Sequence, residues 1–139
     1  MVRLKAKTRY AVLAALVLAE HYDGGETRIK LKEIAAHADV PSKYLVHILI
    51  SLKERALVNS ARGAKGGYWL VRPPDQVSIA EVMAAVEPRE EPRPEGDSPY
   101  EKAVNEIWLA AQNKKRSHLA RITLADVLRE ARGSEGPAG

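Results

Sequence analysis

The stretch Arg62-Gly63-Ala64-Lys65-Gly66-Gly67-Tyr68-Trp69 sets two cations in a glycine-rich turn between two short strand-like runs. Glycine lets the main chain adopt positive φ and approach another backbone closely, so such a turn can lie flat against a phosphate chain. Alone the pattern is unspecific, because many hairpins need glycine for geometry only. A few residues upstream, Ser42, Lys43, Tyr44 and His47 cluster at the start of a helical pattern. A helix start aims N–H groups at phosphate, and donors there can reach base edges in a major groove. Nearer the N-terminus, Arg3, Lys5, Lys7 and Arg9 alternate as a basic arm suited to backbone phosphates, with Tyr10 beside them. These residues, with Arg62, Lys65 and Gly66, form the expected DNA-contact set.

Those side chains need a frame. Thr8 is expected to cap a helix running to about Tyr22, ended by Asp23-Gly24-Gly25. Leu31, Ile34, Ala35 and Ala38 give a second helix, and Asp39-Val40-Pro41-Ser42 a tight turn. Ser42 is expected to cap a third helix to about Arg55, with Leu45, Ile48, Leu49 and Leu52 buried. A small residue at the crossing (Ala35), Asp39 at a near-left-handed turn position and Val40 at the corner make this a helix-turn-helix pattern. Residues 57–62 and 68–72 read as strands around the glycine turn, which becomes a wing. Strand alternation sets Trp69 opposite Tyr68 and Leu70; it is expected under the N-terminal arm, with DNA or a partner as the alternative.

Ser78 and Glu81 form a capping box opening a helix to about Glu87. Residues 88–97 hold three prolines and four acids, an acidic linker. Ser98-Pro99-Tyr100-Glu101 is a second capping box, starting a helix of some twenty residues to about His118 or Ala120. Thr123 opens a short last helix to about Ala131, and Gly133 to Gly139 reads as a disordered tail.

Charge is asymmetric. Residues 1–74 hold 13 Lys/Arg against 6 Asp/Glu, a net of +7, while residues 87–101 hold 2 against 6, a net of −4. The basic half points to a polyanion. The sequence contains no Cys, which excludes disulfides, thiolate zinc sites and cysteine-ligated clusters within this chain. No apolar run reaches the roughly 18–20 residues of a membrane span, and no cleavage pattern follows Val12 to Ala19, so a cytoplasmic location is expected. The Gly63–Gly67 loop lacks a Gly-Lys-Ser/Thr ending and leads into a strand, so it is not a nucleotide phosphate loop. No nucleophile–His–acid arrangement stands out, and no enzyme activity or cofactor is expected.

The residues Thr8-Arg9-Tyr10-Ala11, Leu31-Lys32-Glu33-Ile34-Ala35, Lys43-Tyr44-Leu45 with Ile48-Leu49, Leu57-Val58-x-Ser60-x-Arg62-Gly63-x-Lys65-Gly66-Gly67-Tyr68 and Arg72-Pro73-Pro74 resemble the Rrf2 (IscR/NsrR/CymR-like) family of bacterial winged-helix regulators. The likeness is dense over about residues 3–87, thins through the linker and returns at Ile107-Trp108 and Ile122 to Leu128. It implies a mainly α fold with a small β-hairpin. Residues 1–87 would form a winged helix-turn-helix DNA-binding domain, 88–97 the linker, and 98–132 a dimerisation helix with a short terminal helix. It implies a homodimer paired through Val104, Ile107, Trp108, Ala111, Leu119 and Ile122, reading a palindromic site on double-stranded DNA. Many relatives place three cysteines between Pro88 and Asn105 to hold an iron–sulfur cluster; this chain has none there.

The expected function is therefore a sequence-specific transcription regulator, a repressor by family habit, working without such a cluster; an effector, protein or small molecule, is left unnamed. Two alternatives stand beside it. One is a dimeric protein-interaction adaptor that has lost DNA reading. The other is a metal or haem sensor using His21, His37, His47 and His118, although no pair among these has i, i+4 spacing.

Overall fold

The computed structural model describes residues 4–88, 96 and 98–134; Arg3, most of the 88–97 linker and most of the 133–139 tail lie outside them. Six α-helices and one hairpin are present among these residues: α1 Ala6–Glu20, α2 Leu31–Ala38, α3 Ser42–Glu54, β1 Val58–Ala61, β2 Gly67–Leu70, α4 Ile79–Val86, α5 Pro99–Ala120 and α6 Leu124–Ser134. A single 3-10 turn, Pro74–Gln76, precedes α4.

Helix α1 occupies the centre because it is apolar on more than one face: Ala11, Ala14, Ala15, Val17, Leu18 and Ala19 are all buried. It packs against α2, α3, α4 and α6. Its alanines keep it thin enough for four neighbours. Ile34, Leu45, Ile48, Leu49, Leu52, Leu70, Val82 and Leu124 fill the space around it.

Two expected caps are corrected. Thr8 lies inside α1 and is buried, while Lys5 holds the N-cap position without a side-chain bond. The helix starts earlier than expected because Ala6 and Lys7 are good helix formers and nothing stops it there. Ser42 is the first helical residue of α3, and Pro41 is its N-cap. The Pro41 carbonyl accepts from the N–H groups of Tyr44 and Leu45, both at 3.1 Å. A proline with fixed φ supplies the extended entry that a serine cap would otherwise give.

Other ends follow the sequence more closely. Ser78 and Glu81 form the reciprocal box at α4, with bonds of 2.9 and 3.1 Å. Ser98 caps α5 only through the Tyr100 N–H at 3.2 Å, not through the box its spacing with Glu101 predicts. Thr123 and Asp126 form a reciprocal pair at α6, 2.9 and 3.1 Å. The two Thr123 bonds, backbone first, hold the Asp126 carboxyl below its usual value.

The hairpin is antiparallel, pairing Val58 with Leu70, Asn59 with Trp69, Ser60 with Tyr68 and Ala61 with Gly67. It is shorter than the two expected strands. Ile29 adds an isolated antiparallel bridge to Tyr68. A second bridge, Ser78 with Thr123, sews the segment before α6 to the segment before α4. Leu124 is fully buried in the common core, so the short terminal helix packs with the N-terminal unit.

Candidate nucleic-acid interface

Helices α2 and α3 form a helix-turn-helix. Asp39 takes φ 55° and ψ 48°, the left-handed conformation that the turn needs, and the Val40 N–H returns to the Ala35 carbonyl at 3.0 Å. Val40 is buried at the corner. The burial of Leu45, Ile48, Leu49 and Leu52 turns the opposite face of α3 outward.

That outward face carries Lys43, Val46, His47 and Ile50, spaced i, i+3, i+4 and i+7, with Ser42 and Tyr44 at the start. Val46 is 39% and Ile50 51% exposed. Sequence reasoning missed both, because apolar residues on a helix are ordinarily assigned to the core. Their signal was position: each falls outside the Leu45–Ile48–Leu49–Leu52 stripe. Exposed branched side chains on such a face suit contact with thymine methyl groups.

The structure joins four of the expected residues into one unit. The Tyr10 and Tyr44 rings stack with centroids 6.0 Å apart and planes 28° apart. The Arg9 guanidinium lies 5.4 Å from the Tyr10 ring, and the Lys43 ammonium 5.0 Å from the Tyr44 ring. Lys7 and Arg9 therefore belong to α1, not to an extended arm; among the arm residues described, only Lys5 precedes the helix. All three are exposed.

On the wing, Arg62 and Lys65 are exposed, whereas Gly66 is buried. A Cβ at Gly66 would stand 2.2 Å from the Ala61 carbonyl oxygen, so this glycine serves turn closure and does not face outward. Its N–H bonds the Gly63 carbonyl at 3.0 Å. The Trp69 ring, expected under the N-terminal arm, meets the segment between α1 and α2. It packs beside Gly25, with the Arg28 guanidinium 4.8 Å above its ring. Arg28 and Lys30 also touch the wing directly, Lys30 Nζ donating to the Gly63 carbonyl at 2.7 Å.

The six residues expected at a dimer face divide. Val104, Ile107, Trp108 and Ala111 are exposed on α5, a helix with no buried residue among those described. Leu119 and Ile122 pack instead against the core of their own chain.

The histidines do not assemble. His21 and His37 approach to 5.8 Å between ring centroids, with His21 Nδ1 2.9 Å from the Val17 carbonyl oxygen, while His47 lies on α3 and His118 on α5. Among the described residues no group of three or more His, Cys, Asp or Glu could hold a metal ion. Nor is any helix there long and apolar enough to cross a membrane.

The chain matches the model of the Rrf2 family, described as iron-dependent transcriptional regulators, over residues 4–130. A cysteine-held iron–sulfur cluster does not fit the residues present, since none of the 139 is Cys. A Synechocystis protein described as a candidate HTH-type transcriptional regulator (slr0846) is 35% identical, spanning 99% of this chain and 95% of its own. The solved IscR of T. potens superposes with a TM-score of 0.79 at 28% identity, covering 99% of this chain and 94% of that one. CymR, the global cysteine regulator of B. subtilis, gives 0.73 at 29% identity over 91% and 96%. With the helix-turn-helix, the wing and these likenesses together, the chain belongs to the Rrf2 family of winged-helix, DNA-binding transcription regulators.

Proposed function

We propose that this regulator grips a palindromic DNA site as a homodimer and acts as a repressor, with no cysteine-ligated cluster to switch it. The observation that carries this reading is the pairing of an outward α3 face with a bare apolar face on α5. On α3, Lys43 and His47 would read base edges, and Val46 and Ile50 would meet thymine methyls. Ser42, Tyr44, Lys5, Lys7 and Arg9 would hold phosphates, with Arg3 extending that set, and Arg62 and Lys65 would reach a flanking minor groove. Tyr10 would act by holding Tyr44.

On α5, Tyr100, Val104, Ile107, Trp108 and Ala111 follow one helical face, and Ile107 is 71% and Trp108 64% exposed. Water-facing apolar side chains repeated over three turns favour burial against a second copy. The helix spans about 33 Å at 1.5 Å per residue, close to the roughly 34 Å between successive major-groove faces of a duplex. A helix pair of that length suits two heads set one turn apart.

Selection of bound duplexes from a random pool tests the reading. Enrichment of two inverted half-sites centred about 10–11 base pairs apart, or a multiple, is expected. Enrichment of single half-sites would remove the dimeric grip, and no enrichment would favour a protein-binding adaptor.

A further inference from the structure

The wing is also held by residues that are not among the DNA contacts above. Between α1 and α2 the chain runs through Arg28, Ile29 and Lys30. Ile29 exchanges two backbone bonds with Tyr68, 3.0 and 2.9 Å. The approach needs Gly67: a Cβ there would stand 2.8–2.9 Å from Ile29 backbone atoms. With Ile29 buried, alternation turns Arg28 and Lys30 together to the other face. Lys30 Nζ then donates to the Gly63 carbonyl at 2.7 Å, and Arg28 Nη1 to the Lys65 carbonyl at a longer 3.4 Å. The Arg28 guanidinium also lies over the Trp69 ring.

We propose that Arg28 and Lys30 are positioning residues that set the pose of the wing tip, and so fix where Arg62 and Lys65 reach a DNA flank. The proposal rests on the DNA reading argued above. Gly63 and Lys65 belong to the turn that the Gly66 N–H closes, so the two cations hold the tip at two points. The segment is pinned at its other end as well. The Asp23 carboxylate accepts from the N–H groups of Glu26 and Thr27 at 3.0 and 2.8 Å, and from the Thr27 hydroxyl. Glu26 and Glu33 line the same cleft as Arg28, Lys30 and Lys65. Acids beside cations that already serve carbonyls suit holding a turn better than gripping phosphate.

Two measurements on the full chain test this. Hydrogen exchange in the free protein reads the strap, and competition between duplexes sharing one selected site but differing in A·T- or G·C-rich flanks reads its consequence. Arg28→Ala and Lys30→Ala should each speed exchange at Gly66 and its neighbours by about three- to tenfold. Each should also move the flank preference toward unity by a similar factor, with the salt dependence unchanged. Lys30→Arg, which keeps a donor for the Gly63 carbonyl, should restore both. Unchanged exchange at the turn overturns the proposal, as does faster exchange with intact flank preference. An even loss on every flank, with the salt slope smaller by about one, would instead mark Arg28 or Lys30 as a phosphate contact. If the unaltered protein binds no duplex, the DNA reading fails and the positioning role falls with it, while the exchange result still reports whether the strap exists.

Discussion

Tyr10 on α1 and Tyr44 on α3 stack 6.0 Å apart, tying the start of the recognition helix to the first helix of the fold. Aromatic pairs of this kind contribute about 0.5–1.5 kcal/mol beyond area burial. A double-mutant cycle of Tyr10→Ala and Tyr44→Ala, read by urea unfolding, should return a coupling in that range. Tyr10→Ala should also weaken DNA binding although its effect passes through Tyr44. A coupling near zero would leave the stack without energetic weight.

Base readers and phosphate holders should separate in binding assays. Lys43→Ala and His47→Ala should each lose about 1–3 kcal/mol of discrimination between the selected site and random duplex. Lys7→Ala should weaken every duplex alike and reduce the salt slope by about one. Equal losses on specific and random DNA for the α3 variants would remove their reading role.

Ile107→Asp sets a charge in the middle of the α5 apolar face. Its high exposure leaves the monomer fold undisturbed, so far-ultraviolet circular dichroism should not change. Sedimentation should show a shift from dimer to monomer, and affinity for a full palindrome should fall toward that for a half-site. A variant that sediments as the parent does would place the dimer contact elsewhere.

Ala56 ends α3 with φ 59°, and the N–H groups of Ala56 and Leu57 return to the carbonyls of Lys53 and Leu52 at 2.9 and 3.0 Å. This two-bond ending favours glycine, since a side chain in the left-handed region costs about 1–2 kcal/mol. Glycine gives back about 0.4–1 kcal/mol through the unfolded chain. Ala56→Gly should therefore raise stability by about 0.5–1 kcal/mol, seen as a higher urea midpoint.

Glu81 links the α4 cap to Arg72, whose Nη2 lies 3.1 Å from its carboxylate. Partial burial pushes its carboxyl up, but the Ser78 N–H and Arg72 outweigh this and hold it below the ordinary 4.5. A carboxyl depressed on folding stabilises above its unfolded value, and the gain disappears as pH falls through the folded one. Glu81→Gln keeps an acceptor for the Ser78 N–H but drops the charge. It should be less stable than the parent at neutral pH, with the gap closing well below pH 4.5. A pH-independent gap would assign the effect to packing.

Periodicity and punctuation made most of the frame legible. The leucine and isoleucine stripe of α3, Asp39 in its turn, Ser78 with Glu81, and Pro99 after Ser98 each state a local rule that tertiary structure left intact. Thr8 and Ser42 misled because several neighbours could start a helix: Ala6 and Lys7 extend α1 past Thr8, and Pro41 takes the cap position before Ser42. Leu119 and Ile122 carry the same apolar signal as Ile107, yet a one-dimensional pattern does not say whose core it fills. Arg28, Lys30 and Trp69 come together across some forty residues of chain, a distance no local rule spans.

The backbone bonds from Ile79 to Ile122 and from Leu124 to Val77, 2.8 and 2.9 Å, anchor the far end of α5 to the segment that opens α4. Helix α5 is thus attached to its own head twice, by covalent chain at one end and by this seam at the other. A proteolytic nick within 88–97 would open a ring without separating its parts. Because α4 packs against both α1 and α3, the seam ties α5 to the same helices that carry the helix-turn-helix, as a clasp closes a bracelet.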